Sequence, residues 1–210
     1  MGLSTCPTDW PVRRLMIDFA ATELPTFSIT IVSITDFWLV LPKIRLTSSM
    51  DSMQLRKQTH TADETEDLAS AIGRALCGGE VIELISDLGG GKTTFVRGLV
   101  RGAGSPDHVS SPTFTLCNLY TTSKTSMLAA LYHFDFYRLG EAGIIEHELA
   151  ETMKDKRAVV VIEWADTIKD VLPASRLKIN ISTLGENQRQ FEFDCPTQLT
   201  YLLDYVDTNN

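Results

Sequence analysis

The sequence lacks the marks of a secreted, membrane or zinc-binding protein. Its four cysteines among 210 residues are scattered and form no C-x-x-C pair, which argues against a zinc site and predicts reduced thiols in a cytoplasmic protein. No short apolar segment with a cleavage site follows a basic start, so no secretory signal is predicted. Residues 27–46 are rather apolar, but Asp36 and Pro42 interrupt them, so neither a membrane span nor a membrane partner is predicted.

Positive charge is also scarce. The chain carries 19 Lys and Arg residues against 27 Asp and Glu residues, a formal net charge of −8 at pH 7. A general nucleic-acid binder would carry a basic face, so any contact with RNA is predicted to pass through a partner protein. The chain has no N-K-x-D motif, which argues against a GTPase, and no G-x-S-x-G elbow, which argues against a nucleophilic serine.

Composition changes near residue 50. Residues 1–49 hold two of the three tryptophans and four of the eight prolines, and their apolar residues show weak periodicity. We interpret this part as an N-terminal extension that is either disordered or the result of a start site assigned too early. Residues 50–210 are long enough for one domain with a substantial core.

The strongest local signal in that domain is a strand, a glycine-rich turn and a helix in direct succession. The turn reads Asp87-Leu-Gly-Gly-Gly-Lys-Thr-Thr94. Glycines let backbone amides approach phosphates closely, and the helix directs its positive end at them. Lys92 would reach the outer phosphates and the Thr93 hydroxyl would ligate magnesium. The predicted phosphate-binding residues are Gly89, Gly90, Gly91, Lys92, Thr93 and Thr94.

One position departs from this motif. The pattern G-x-x-x-x-G-K-[ST] has glycine where this chain has Ser86, and a serine there could alter the turn or crowd the phosphates. The alternative for the whole segment is an ordinary flexible turn beside an exposed lysine.

Two carboxylates follow predicted strands. Glu163 closes the continuous apolar run 158–163, and Asp135 follows another run, so both are expected at the carboxyl edge of a sheet, beside the phosphate loop. There they would hold magnesium or order water. Alternatively, Glu163 could cap the turn that begins at Trp164, and Asp135 could pair with Arg138.

Three further residues near these motifs permit two interpretations. Thr113 follows Ser-Pro and could sense the γ-phosphate, but without other information we favour a simple turn residue that initiates a strand. Trp164 could pack near the nucleotide, although by default it is interpreted as a core or rim aromatic. We interpret His133 as structural, because the pair His133 and Asp135 has no third metal ligand at a spacing typical of metal sites.

The remaining pattern predicts an α/β domain. Helical spacing of apolar residues indicates helices over about 63–76, 92–101, 144–153 and 197–206. Alternating or continuous apolar runs indicate strands at 80–86, 114–120, 127–137, 158–163, 176–182 and 190–194. We expect parallel strands near the loop and antiparallel strands from the middle and end of the chain. This arrangement is a P-loop NTPase-like three-layer sandwich with a mixed central sheet.

Taken together, the motifs resemble the TsaE family, also called the YjeE-type ATPases, over about residues 55–195. The stretches that carry the resemblance are Asp87-Leu-Gly-Gly-Gly-Lys-Thr-Thr-Phe-Val-Arg-Gly98, Ser111-Pro-Thr-Phe-Thr115, Tyr132-His-Phe-Asp-Phe-Tyr-Arg-Leu139, Glu148-Leu-Ala150 and Ile162-Glu-Trp164. The resemblance implies an ATP hydrolase that supports synthesis of N6-threonylcarbamoyladenosine in tRNA. It also implies ATP and Mg²⁺ as cofactors, a TsaB–TsaD heterodimer as partner, and contact with tRNA only through that complex.

The resemblance assigns a role to each candidate residue. Catalysis would involve Lys92, Asp135, Glu163 and Thr113; magnesium would be held by Thr93 and Glu163; and Trp164 would lie close to the nucleotide. The segment around Thr61 and Thr65 would lie near the adenine. Two other functions stay open: a module that binds ATP without hydrolysing it in order to dock on partners, and a small-molecule kinase.

Overall fold

The structure is a computed structural model that describes residues 52–122, 128–138 and 143–207. The N-terminal extension predicted for residues 1–49 lies outside this part of the chain. No helix in the described ranges is long and apolar enough to cross a membrane.

The described residues form one seven-stranded sheet flanked by helices. The strands are β1 (Ser52–Thr59), β2 (Val81–Ile85), β3 (Cys117–Thr121), β4 (Ala130–Asp135), β5 (Ala158–Glu163), β6 (Leu177–Thr183) and β7 (Arg189–Pro196). The helices are α1 (Ala62–Ala75), α2 (Lys92–Gly102), α3 (Gly143–Thr152) and α4 (Asp204–Asp207), with 3₁₀ segments at Ala165–Val171 and Thr197–Leu203.

The sheet is mixed, with its parallel part in the middle. The strand order is β1-β7-β6-β2-β5-β4-β3. Strand β2 pairs in parallel with β5 and β6, and β4 pairs in parallel with β5. Strands β3, β7 and β1 add antiparallel pairs at the two edges. The predicted arrangement of parallel and antiparallel strands is confirmed.

The core lies on both faces of the sheet, as β5 illustrates. Val159 and Val161 belong to the apolar cluster that contains α1 and α2, whereas Val160 and Ile162 belong to the cluster that contains α3 and the first 3₁₀ segment. Successive side chains of a strand point to opposite faces, so a strand covered on both faces must be apolar throughout. The strand buried on both faces that this run predicted is confirmed, and so is the predicted α/β three-layer fold.

Several details differ from the prediction. Strand β3 begins at Cys117 rather than at residue 114, because Leu116 adopts a φ of 65°, which extended backbone cannot accommodate. Strand β1 and the 3₁₀ segment at Ala165–Val171 were not predicted, and the closing helix is a 3₁₀ segment followed by α4. Cys117 and Cys195 are free thiols, as predicted.

Candidate functional site

The glycine-rich loop connects the central strand β2 to the N-terminus of α2. Gly89 and Gly91 adopt φ angles of 75° and 106°, values that residues with a Cβ rarely reach. The second of these is the N-cap of the 11-residue helix α2, so the free amides of the first helical turn open toward the loop. Thr93 and Thr94 lie half-buried in that turn. The segment therefore has the backbone shape of an anion site.

Lys92 lies folded into the loop. Its side chain is 6% exposed, and Nζ donates hydrogen bonds to the carbonyl oxygens of Ser86 (3.1 Å) and Asp87 (3.0 Å). Burial lowers the pKa of Lys92 below its ordinary value, while the carboxylates of Glu163, Asp135 and Asp87 act in the opposite direction. This position does not fit an exposed lysine beside a flexible turn.

The two predicted carboxylates meet at one edge of the sheet. Asp135 and Glu163 are register partners at the carboxyl ends of the parallel strands β4 and β5, and each is 3% exposed. Oε2 of Glu163 lies 4.0 Å from Nζ of Lys92. The structure thus brings the loop lysine and both acidic residues together, as the order of strands required.

Thr113 is attached directly to this acidic pair. Its hydroxyl donates a hydrogen bond to Oδ2 of Asp135, and Ser111 Oγ lies 2.7 Å from the same hydroxyl. The backbone amide of Tyr137 donates to the other oxygen, Oδ1, at 2.9 Å. Both oxygens of Asp135 are therefore oriented by neighbours, and Thr113 does more than initiate a strand, the role that the sequence favoured.

Trp164 covers the ammonium group of Lys92. The ring centroid lies 4.4 Å from Nζ, a cation–π distance, and 4.9 Å from the ring of Tyr137. Trp164 adopts φ 59° and ψ 49°, a left-handed conformation that is uncommon for a bulky residue. This turn of the backbone directly after β5 places the half-buried indole over the loop, while it also packs against the apolar cluster on the α3 side of the sheet.

Two residues that the motifs did not mark as functional also contact the site. His133, interpreted from the sequence as structural, lies on β4 with Nε2 2.8 Å from Oε1 of Glu163. Arg189, at the start of β7, donates from Nε to the carbonyl oxygen of Gly90 at 3.0 Å. It also donates from Nη1 to the carbonyl oxygens of Gly185 and Gln188. The H-x-D spacing could have indicated His133, whereas no local pattern points to Arg189.

The donor set fits a magnesium ion shared with a phosphate. Hydroxyl and carboxylate oxygens, which Mg²⁺ prefers, are available from Thr93, Asp135 and Glu163. In the described residues no group of three or more His, Cys, Asp or Glu side chains could hold a metal ion by itself. Magnesium at nucleotide sites takes one or two carboxylates and completes its shell with water and phosphate oxygens, and Asp135 and Glu163 are two such carboxylates.

A small cleft adjoins the loop on the side of α1. It has a volume of about 70 Å³. Its lining includes Thr61, Thr65, Thr94 and Arg189. The segment that was expected near the adenine therefore lies beside the glycine-rich loop.

Comparisons with known proteins agree with one another. The family model described as "Threonylcarbamoyl adenosine biosynthesis protein TsaE" matches residues 59–191. The protein named "tRNA threonylcarbamoyladenosine biosynthesis protein TsaE" from Bacillus subtilis is 35% identical over 144 residues, which cover 67% of this chain and 85% of that protein. The Treponema pallidum protein of the same name is 33% identical over 136 residues, 65% of this chain and 97% of its own.

A solved structure has the same fold. The crystal structure of Bacillus subtilis YdiB superposes with a TM-score of 0.58 at 29% sequence identity, covering 76% of this chain and 97% of that one. At this identity and coverage the likeness extends over nearly the whole of the neighbour.

Proposed function

This chain belongs to the TsaE family, and we propose that it is the ATP hydrolase of the machinery that forms N6-threonylcarbamoyladenosine in tRNA. One observation carries the proposal: the buried ammonium group of Lys92 lies inside the glycine-rich loop, 4.0 Å from a carboxylate of the neighbouring strand. A lysine, free helix amides and a strand-end carboxylate are the parts that phosphoryl transfer requires. The names of the relatives supply the pathway.

Binding would begin with an exchange of partners at Lys92. Its ammonium now bonds to two backbone carbonyl oxygens, and phosphate oxygens would replace them. Charged partners make stronger hydrogen bonds than neutral carbonyls, so the exchange favours the bound state. The amides of Gly89 to Thr94 would hold the remaining phosphate oxygens without reorganising, because the loop already has its curved path.

Hydrolysis would depend on the two carboxylates. Thr93 and Glu163 would hold Mg²⁺, which supplies charge neutralisation at the phosphates when it is bound. Asp135 would accept a hydrogen bond from the attacking water and keep it in line. Thr113 and the Tyr137 amide fix the orientation of Asp135. Trp164 would lie close to the nucleotide, since its indole already covers the ammonium group.

We propose a TsaB–TsaD heterodimer as the partner that completes the site, with tRNA reached only through it. The net charge of −8 supports the absence of direct RNA binding. Without the partner, we expect turnover on the order of 10⁻⁴ to 10⁻² s⁻¹, the range of nucleotide switches that lack an activator.

Phosphate release from ATP by the purified protein, with and without the TsaB–TsaD of the same organism, tests the proposal. We expect slow release alone and clear stimulation by the heterodimer. Glu163→Gln, which keeps the size of the side chain, should abolish release but retain ATP binding, whereas Lys92→Ala should lose binding. Brisk release that the heterodimer leaves unchanged would contradict the proposal. Binding with no release under any condition would indicate a regulatory module, and a phosphorylated metabolite would indicate a kinase.

A further inference from the structure

Three consecutive glycines form the tip of the loop, and the middle one differs from its neighbours. Gly89 and Gly91 have positive φ angles, so their lack of a side chain is explained by backbone conformation. Gly90 is not among the residues with positive φ, and the motif allows any residue at its position. A different reason must therefore account for glycine there.

The reason is the side chain of Ser86. A Cβ added to Gly90 would lie 1.7 Å from Oγ of Ser86, and 3.1 Å from both Cβ of Ser86 and the carbonyl oxygen of Asp87. Two non-bonded atoms cannot approach to 1.7 Å. The serine that replaces the usual first glycine thus occupies the space beside position 90.

Rotation of the Ser86 side chain would move Oγ away but would relieve only part of the conflict. Cβ of Ser86 would remain 3.1 Å from the added carbon, and the bond that Oγ donates to the Asp87 carbonyl would be lost. That carbonyl also accepts from Nζ of Lys92 and from the amide of Gly90. Any displacement of Asp87 would therefore reach the lysine that is expected to bind phosphate.

The backbone at Gly90 cannot move away from Ser86, because Arg189 holds it from the opposite side. Gly90 is buried, and its carbonyl oxygen accepts from Nε of Arg189, whose Nη1 is bound to carbonyl oxygens of the turn between β6 and β7. The loop is thus held between Ser86 and the β6–β7 turn, with no spare width for a methyl group.

We infer that Ser86 and Gly90 are a complementary pair, in which a side chain at position 86 is compatible with the phosphate-binding path of the loop only because position 90 has none. Ser86 directs its hydroxyl into the space beside Gly90 and toward the Asp87 carbonyl, so the loop keeps the curvature that the usual first glycine provides. This inference treats the loop as a phosphate site and in that respect rests on the proposed function.

A double-mutant cycle tests the pair. The variants are Gly90→Ala, Ser86→Gly and the combination of both, and the probe is a fluorescent ATP analogue with magnesium. We expect Gly90→Ala to weaken binding about tenfold, as overpacking of a closely packed site does. Ser86→Gly should stay within about threefold of the parent protein. The double variant should bind more tightly than Gly90→Ala but less tightly than Ser86→Gly, because both contacts with Ser86 are gone while the 3.1 Å contact with the Asp87 carbonyl oxygen remains.

Ser86→Ala combined with Gly90→Ala provides a graded control. It removes only the hydroxyl and leaves the 3.1 Å contact with Cβ, so its affinity should fall between that of Gly90→Ala and that of the double variant with glycine at position 86. Equal affinities of Gly90→Ala and the parent protein, or a Ser86→Gly/Gly90→Ala variant as weak as Gly90→Ala, would overturn the inference.

Thermal unfolding of the nucleotide-free variants separates this inference from the proposed function. If the parent protein binds no ATP, the proposed function fails. The unfolding midpoint must still be lower for Gly90→Ala than for the parent protein, and higher again for the double variant. If Gly90→Ala does not fold, soluble folded protein from the double variant supports the pair. Failure of the double variant to fold, while Ser86→Gly does, overturns it.

Discussion

Nε2 of His133 lies 2.8 Å from Oε1 of Glu163, with the two side chains 0% and 4% exposed. An ionised carboxylate only accepts hydrogen bonds, so Nε2 carries the hydrogen. Nδ1 of His133 is the buried side-chain atom without a hydrogen-bond partner in the part of the chain that the structure describes. His133 thus orients one oxygen of Glu163 and leaves Oε2 facing Lys92.

Substitution of His133 should reduce turnover more than ATP binding. In His133→Leu the buried Oε1 loses its donor, and an unsatisfied buried acceptor costs enough to lower kcat about tenfold. His133→Gln retains an N–H donor and should recover part of the loss. Steady-state kinetics with the heterodimer present, beside direct measurement of the Kd for ATP, distinguish these effects. Equal kcat values for the two variants would show that the hydrogen bond to Glu163 has no role in positioning.

The hydroxyl of Thr113 should be needed for hydrolysis because it holds Oδ2 of Asp135. Thr113→Val keeps the shape of the side chain without the donor, and we expect about a tenfold fall in kcat. Thr113→Ser keeps the donor and should stay within about threefold of the parent protein. Single-turnover phosphate release measures this directly. A serine variant as slow as the valine variant would mean that the methyl group, and not the hydrogen bond, matters.

Nucleotide affinity should fall at alkaline pH. Burial lowers the pKa of Lys92 below 10.5, so the folded protein loses this positive charge at a pH where the unfolded chain still keeps it. Between the lowered pKa and 10.5 the unfolded state binds more protons, so the Lys92 contribution makes the free energy of unfolding rise with pH. ATP affinity moves in the opposite direction, because it requires the charge. Lys92→Arg, which stays charged throughout, should bind more weakly at neutral pH but lose this pH dependence. An unchanged pH profile in the arginine variant would contradict the assignment to Lys92.

Arg189 should stabilise the glycine-rich loop, although it lies far from that loop in the sequence. In Arg189→Met the carbonyl oxygen of Gly90 loses its donor, and we expect ATP to bind several-fold more weakly and the unfolding midpoint to fall by a few degrees. Arg56→Met is the matched control, since Arg56 is 75% exposed and pairs with Glu192 at the surface of the same sheet. Surface ion pairs of this kind contribute little. Equal decreases in ATP affinity and unfolding midpoint in the two variants would exclude a specific effect of Arg189 on the loop.

The elements that position the site could be predicted from local sequence. The apolar run of β5 specifies a strand that is buried on both faces. The glycine-rich turn before α2 specifies a loop with positive φ angles, which few other residues adopt. The meeting of Asp135 with Glu163 followed from the expectation that parallel strands end at one edge of a sheet.

Contacts between distant parts of the chain could not be predicted in this way. The bond between Arg189 and the Gly90 carbonyl depends on β6 lying beside β2, which no local pattern specifies. The left-handed turn at Trp164 contradicts the conformational preference of tryptophan, and only the surrounding packing maintains it. The sequence shows that Ser86 replaces the first glycine of the motif. That the Ser86 side chain fills the space beside Gly90 could be recognised only from the distance in the structure.

The 99-residue separation between Gly90 and Arg189 also sets the order in which the protein can assemble. Strand β2 emerges from the ribosome well before β5 and β6, the strands on either side of it. Contacts between residues so far apart form late, since the loop between them must close first. A nascent chain that ends before β7 contains the whole glycine-rich loop, yet it lacks Arg189, which holds the Gly90 carbonyl oxygen. Full nucleotide affinity should therefore be reached only when the last strand has joined the sheet.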